Sequence, residues 1–237
     1  MSTKRLIVNA DDFGQSHGTN IGIIKSHREG IVTSASLMVR YPGAAEAAEY
    51  ANVNRNLGVG LHVDLGEWIF QDGEWRALYE VVKLDDIDSV REEIGRQLEL
   101  FFRIMKRGPT HIDSHQHVHT RPLIVPIVKD LGKLLKINVR AIESEIKYCG
   151  DFYGQSPDGA PNHLAINSKS LQKVLETIPQ GITELACHPG LENDIQTMYG
   201  IEREIEVSTL CNADIRNTIT KQQIKLCSFK NLELIKF

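Results

Sequence analysis

Residues 6–14 read Leu6-Ile7-Val8-Asn9-Ala10-Asp11-Asp12-Phe13-Gly14. Three branched apolar residues in succession suit a strand buried on both faces, as in a parallel sheet. The run then meets two adjacent carboxylates and a glycine turn. A buried, unpaired carboxylate costs several kcal/mol in practice, so two in succession need a cation, hydrogen bonds or solvent. The alternative use for either aspartate is to cap the helix that follows.

Outward from this stretch, strand-length apolar runs alternate with segments of helical apolar spacing. Candidate strands lie at 6–10, 31–39, 57–63, 109–114, 138–142, 182–187 and 224–228, and candidate helices at 17–29, 44–51, 90–106, 123–135, 171–178 and 202–210. The alternation predicts an α/β fold around a parallel sheet. In the third helix Ser89 and Glu92 read as a capping box, Val90, Ile94, Leu98, Phe101 or Phe102, and Met105 form one stripe, and Gly108-Pro109 stops it. Stretches 66–84, with Trp68 and Trp75, and 143–167 read as long loops following strands, the side on which α/β proteins place their sites. Either is equally readable as a plain surface excursion.

Composition narrows the class. The chain has 237 residues with 41% hydrophobic and 24% charged residues, enough to bury a core, and nothing in it divides residues 1–237 into more than a single domain. A net charge of −4 offers no field for nucleic acid or anionic lipid. The apolar run near the N-terminus breaks at Asn9, unlike a signal peptide, and no stretch of 18 apolar residues suggests a membrane span. Cys149, Cys187, Cys211 and Cys227 are far apart without CxxC spacing, as in a cytoplasmic protein with reduced thiols. A homodimer is the default expectation.

Acidic and imidazole groups gather at strand ends. In Gly60-Leu61-His62-Val63-Asp64, the two-residue period puts His62 and Asp64 on one face. In His111-Ile112-Asp113-Ser114-His115-Gln116-His117-Val118-His119, four of the nine histidines fall within nine residues. There an extended strand would place His111, Asp113 and His115 on one face, so that Asp113 orients an imidazole while a nitrogen takes a metal. His188, before Pro189-Gly190, ends another strand and is a candidate for proton transfer, because imidazole titrates near working pH. One carboxylate and two imidazoles would hold a divalent ion with coordination left open, as catalytic sites require. Such an ion, with a carboxylate base and a histidine acid, would serve metal-assisted hydrolysis.

The NADDFG, GLHVDL, THIDSHQHVH and CHPG segments, in this order along the chain, resemble the YdjC-type carbohydrate deacetylases. The resemblance implies a deformed (β/α) barrel of about seven parallel strands, related to the polysaccharide deacetylase fold, that removes acetyl groups from N-acetylated sugars such as chitooligosaccharides. It implies a bound divalent ion, given as magnesium, with Asp12, His62 and His115 as metal ligands, Asp11 as general base and His188 as general acid. His111, His117, His119 and Asp64 become supporting or substrate-facing residues, and Arg140 orients Asp11 or holds substrate. Two imidazoles suit zinc or manganese better than magnesium, so both stay open. Other readings are a hydrolase of another amide or a phosphoester, against which Arg121 and Arg140 as the only cations near strand ends argue, and a non-catalytic sugar-binding protein. Trp68 and Trp75 would stack on pyranose rings in either case, or belong to the core.

Overall fold

The strand predicted at 6–10 forms and lies inside the sheet, paired on both sides. In the computed structural model, which describes residues 3–142, 145–191, 194–195 and 197–232, β1 (Lys4–Phe13) is buried continuously from Leu6 onward. It pairs in parallel with β2 (Ser34–Leu37) on one side and with β9 (Gly181–Cys187) on the other. Beyond β2 lie β3 (Gly58–Val63), β6 (His111–Ser114) and the two-residue β7 (Asn138–Val139), and beyond β9 lies β8 (Ile146–Cys149). The order β7-β6-β3-β2-β1-β9-β8 makes seven parallel strands curled into a half-barrel, with β10 (Lys225–Leu226) beside the start of β1. Right-handed connections in such a sheet place helices outside and carry every strand's carboxyl end to one mouth.

The helices are α1 (His17–Arg28), α2 (Ala44–Val53), α3 (Ile87–Met105), α4 (Val125–Leu135), α5 (Ser168–Thr177), α6 (Ile201–Leu210) and α7 (Ala213–Lys221). Ser16, rather than either aspartate, caps α1, its hydroxyl accepting from the Thr19 amide at 3.0 Å. The cap of α3 stands earlier than the Ser89 box predicts: Asp86 accepts from the Ser89 amide at 3.2 Å and from its hydroxyl at 2.7 Å. The stripe is otherwise as read, with Val90, Ile94, Phe101 and Met105 buried, and Lys106 ends the helix at φ 53°.

Other differences have local causes. The 66–84 stretch contains an antiparallel hairpin, β4 (Gly66–Gln71) and β5 (Glu74–Glu80), joined by Asp72 at φ 54° and Gly73 at φ 85°. Asp-Gly between two strands is a hairpin signal, masked here by the polar residues around it. β8 falls inside the 143–167 stretch, which the sequence predicts as a loop and whose Glu143 lies outside the described residues. The strand candidate at 138–142 shrinks to Asn138–Val139 because Ala141 turns the chain at φ 56°. The candidates at 31–39 and 224–228 contract to β2 and β10. Helix α7 is added, with the Asn212 side chain accepting from the Asp214 amide and only Ile215 and Ile219 buried on its inner face.

α1 reaches the mouth by glycine contact. A Cβ at Gly22 would sit 2.3 Å from Gly190 Cα, in the segment that follows His188. Gly22→Ala is therefore expected to destabilise the protein by about 1–3 kcal/mol, as other overpacked sites do. Urea denaturation checks this; an unchanged midpoint would mean that the two backbones do not pack this closely.

Candidate metal centre and active-site cavity

A cavity of about 600 Å³ opens at the carboxyl ends of the strands. Asp11 and Asp12 both line it, although consecutive strand residues ordinarily point to opposite faces. The register of β1 against β2 shifts between Ala10 and Phe13, so the chain bulges there, and Asp12 takes a left-handed φ of 66°. Aspartate tolerates this conformation better than most residues, and such backbone outliers concentrate at functional sites.

Asp12 Oδ1 is faced by two imidazoles, His62 Nε2 at 3.3 Å and His115 Nδ1 at 3.1 Å, while its Oδ2 accepts from Arg203 Nη2 at 2.7 Å. His62 and Asp113 are partners across the β3–β6 ladder, and His62 Nδ1 meets Asp113 Oδ1 at 2.7 Å. The orienting carboxylate thus reaches across the sheet, not along the strand as expected. His115 leaves that strand: β6 ends at Ser114, and Gln116 and His117 turn at φ 47° and 53°. Burial alone would lower both imidazoles, but facing carboxylates outweigh it. Asp113 carries His62 up to about 10, and Asp12 carries His115 up to about 9.

The donor set fits a divalent ion. Ligand atoms of Asp12, His62 and His115, one carboxylate oxygen and two imidazole nitrogens, all lie within 4.8 Å of one another. Two buried imidazoles drawn into protonation show the same demand for positive charge that an ion would meet. Asp11, His62 and Asp113 form a second such group, yet Arg140 already occupies it.

Arg140 is fully buried. It grips Asp11 with two bonds, Nη1 to Oδ2 at 2.6 Å and Nη2 to Oδ1 at 2.7 Å, while Nη2 also lies 2.8 Å from Asp113 Oδ2 and Nε donates to Glu184 Oε1 at 2.7 Å. Burial would raise the Asp11 carboxyl, but Arg140 holds it below the ordinary carboxylate range. Of the two roles open to Arg140, the geometry is that of orienting Asp11.

His188 Nε2 stands 3.8 Å from Asp11 Oδ2. Burial pulls its imidazole down to about 4, so the ring is neutral at working pH, unlike the mid-range titration expected of an isolated histidine. Behind it Glu206 accepts from the His188 backbone amide and from the Tyr199 hydroxyl. Burial pushes the Glu206 carboxyl up to about 8.

The remaining candidates separate. His117 lines the cavity, with Tyr148 Oη at 3.1 Å from its Nε2. His111 is core: its ring stacks on Phe229 at 3.9 Å and meets Ser36 Oγ at 2.9 Å. His119 braces the turn between Ser114 and the Arg140 carbonyl. Asp64 is buried with Arg40 and Tyr79, which roots the hairpin. Trp68 and Trp75 line the cavity, and Arg121 lies over Trp68 at 5.5 Å. Sequence reasoning missed Glu67, Tyr148, Tyr153, Met198, Tyr199 and Arg203, all cavity residues. Arg203 and Glu206 belong to α6, where charges at helical spacing read as a solvated face.

The sequence and the fold both have counterparts among known proteins. A carbohydrate deacetylase from Brevibacillus brevis is 35% identical, with 96% of this chain and 99% of that protein covered. A chitooligosaccharide deacetylase from Serratia marcescens is 29% identical, with 97% and 99% covered. Among solved structures, one from Enterococcus faecalis V583, provisionally described as a cellobiose-phosphate cleavage protein, matches with TM-score 0.78 at 24% identity, covering 97% of this chain and 98% of that one. A family 4 carbohydrate esterase from Streptomyces lividans, in complex with acetate, shares the fold with TM-score 0.55 at 13% identity, covering 96% and 93%. The family model described as YdjC-like protein matches residues 5–221. The chain belongs to the YdjC-like protein family.

Proposed function

We propose that this protein is a divalent-metal-dependent deacetylase that hydrolyses the N-acetyl group of acetylated amino sugars or chitooligosaccharides. The observation that carries the reading is the convergence of His62 Nε2 and His115 Nδ1 on Asp12 Oδ1 beside an Arg140-anchored Asp11. The names of the relatives, carbohydrate and chitooligosaccharide deacetylase, support the same chemistry. Asp12, His62 and His115 would hold the ion, magnesium by family resemblance and zinc or manganese by the chemistry of two imidazoles. When bound, a divalent ion supplies Lewis acidity to the acyl oxygen and to the attacking water.

The rest is the work of the chain. Asp11, kept ionised by Arg140, accepts a proton from the attacking water. His188, neutral and 3.8 Å from Asp11, takes up the proton that Asp11 accepted and hands it to the departing nitrogen as the carbon–nitrogen bond breaks. The amine and acetate then leave, with the water's atoms divided between them. Tyr148, Tyr153, Trp68 and the half-exposed Trp75 offer rings on which a pyranose can stack. Among the described residues no helix is long and apolar enough to cross a membrane. The cytoplasmic setting we propose rests on the four free cysteines.

Acetate release from diacetylchitobiose tests the reading: it is expected with a divalent ion present and abolished by a chelator. Release that survives complete chelation, or none from a panel of acetylated sugars with ion supplied, contradicts it.

The imidazoles give a second check. In the metal-free protein His62 and His115 are raised above their unfolded value of 6.5, so the stability they contribute is fully present below that pH. It is lost as pH rises through about 9 and about 10. An ion needs both rings deprotonated, so uptake at pH near 7 is expected to expel up to two protons per ion. Calorimetry in two buffers of different ionisation enthalpy measures this; uptake without proton release would place the ion elsewhere.

A further inference from the structure

We infer that Glu67 is the carboxylate that orients His115, so that the hairpin walling the cavity is also a working part of the metal centre. The inference rests on the metal reading above and deepens it. The two imidazoles repeat one pattern. His62 turns Nε2 to Asp12 Oδ1 and gives Nδ1 to Asp113 at 2.7 Å. His115 turns Nδ1 to the same Asp12 oxygen, and its other nitrogen, Nε2, faces Glu67 Oε2 at 3.7 Å. That nitrogen is buried without a hydrogen-bond partner, and Glu67 itself is only 6% exposed. A ring that gives one nitrogen to an ion carries its proton on the other, and that proton needs an acceptor. The pair is short of hydrogen-bond length by roughly 0.7 Å.

A second feature fixes the partners against each other. The side-chain amide of Gln116, the residue after His115, makes paired bonds to the backbone of Trp68, the residue after Glu67. Nε2 donates to the Trp68 carbonyl at 2.8 Å, and Oε1 accepts from the Trp68 amide at 2.9 Å. It does for the hairpin what a strand neighbour would do. Gln116 and His117 sit at positive φ, a conformation that persists where the surroundings over-determine it, and this clamp supplies such a constraint. Glu67 is therefore a positioning residue, acting through His115.

Three variants test the assignment. Glu67→Met removes the acceptor at nearly constant length, Glu67→Gln keeps a carbonyl oxygen, and Gln116→Ala leaves Glu67 but frees the hairpin. The readouts are Zn²⁺ affinity by chelator competition and the ring ¹⁵N shifts of His115 in the Zn²⁺-loaded protein. Glu67→Met is expected to weaken Zn²⁺ binding about 10–100-fold and to disturb the His115 ring signals. Glu67→Gln should restore most of the affinity, and Gln116→Ala should fall between. Wild-type affinity with unchanged His115 signals in Glu67→Met would overturn the inference and leave the metal reading standing. If Glu67→Met fails to fold, wild-type behaviour in Gln116→Ala overturns the inference instead. A wild-type protein that binds neither Zn²⁺ nor Mg²⁺ through His115 would remove both.

Discussion

Asp11→Asn is expected to lower turnover by about 10²–10⁴-fold, the span typical of losing a general base, while the protein still binds one divalent ion. The reason lies in what touches each aspartate. Asp12 Oδ1 is the oxygen shared by both imidazoles, whereas Asp11 gives both its oxygens to Arg140, and its Oδ1 also accepts from Asn9 Nδ2 at 2.8 Å. Asparagine keeps the shape and an acceptor but cannot take a proton from water. Arg140 would keep Asp113 and Glu184, so the fold should survive. Kinetics alongside metal analysis of the purified variant provide the check. Loss of the ion in Asp11→Asn, with retention in Asp12→Asn, would exchange the roles of the two carboxylates.

The second large effect is structural. Arg140→Met is expected to cost about 3–5 kcal/mol of stability, because removing one member of a buried ion cluster leaves its partners uncompensated. Those partners are Asp11, Asp113 and Glu184, all buried. The change also carries a signed pH effect. With Arg140 present, the Asp11 carboxyl lies below its unfolded value, so it adds stability above that value which is lost as pH falls. Without Arg140, burial dominates and the carboxyl moves up, so the acid limb of the pH–rate profile should shift to higher pH. Urea denaturation and kcat/KM against pH read the two effects separately. A stability change under about 1 kcal/mol would mean that the cluster is solvated rather than buried.

Why these residues were legible in the sequence, and others not, follows from the range of the forces involved. A carboxylate or imidazole at the end of an apolar strand run is a local contradiction, visible without knowing the fold. Asp11, Asp12, His62 and His188 stand out in this way, and the parallel sheet then carries all four to one mouth. The bulge that puts neighbouring Asp11 and Asp12 into the same cavity depends on the register of β1 against β2, which no local pattern contains. For the same reason His115 does not share a strand face with Asp113: its strand ends at Ser114, and Asp113 serves His62 on the adjacent strand. Arg203 and Glu206 were hidden because a helix face that packs over a polar cavity reads like one that faces water. Glu67 was hidden in a hairpin strand whose apolar residues, Trp68, Ile69 and Phe70, run together without the alternation that marks a strand. Its Asp72-Gly73 turn was there to be read.

Anomalous diffraction from crystals soaked with Mn²⁺ or Zn²⁺ tests the central claim most directly. One peak is expected within bonding distance of the Asp12 carboxylate, His62 Nε2 and a His115 ring nitrogen, with Asp11 still held by Arg140. A peak elsewhere, or Asp12, His62 and His115 surrounding no ion at all, would contradict it.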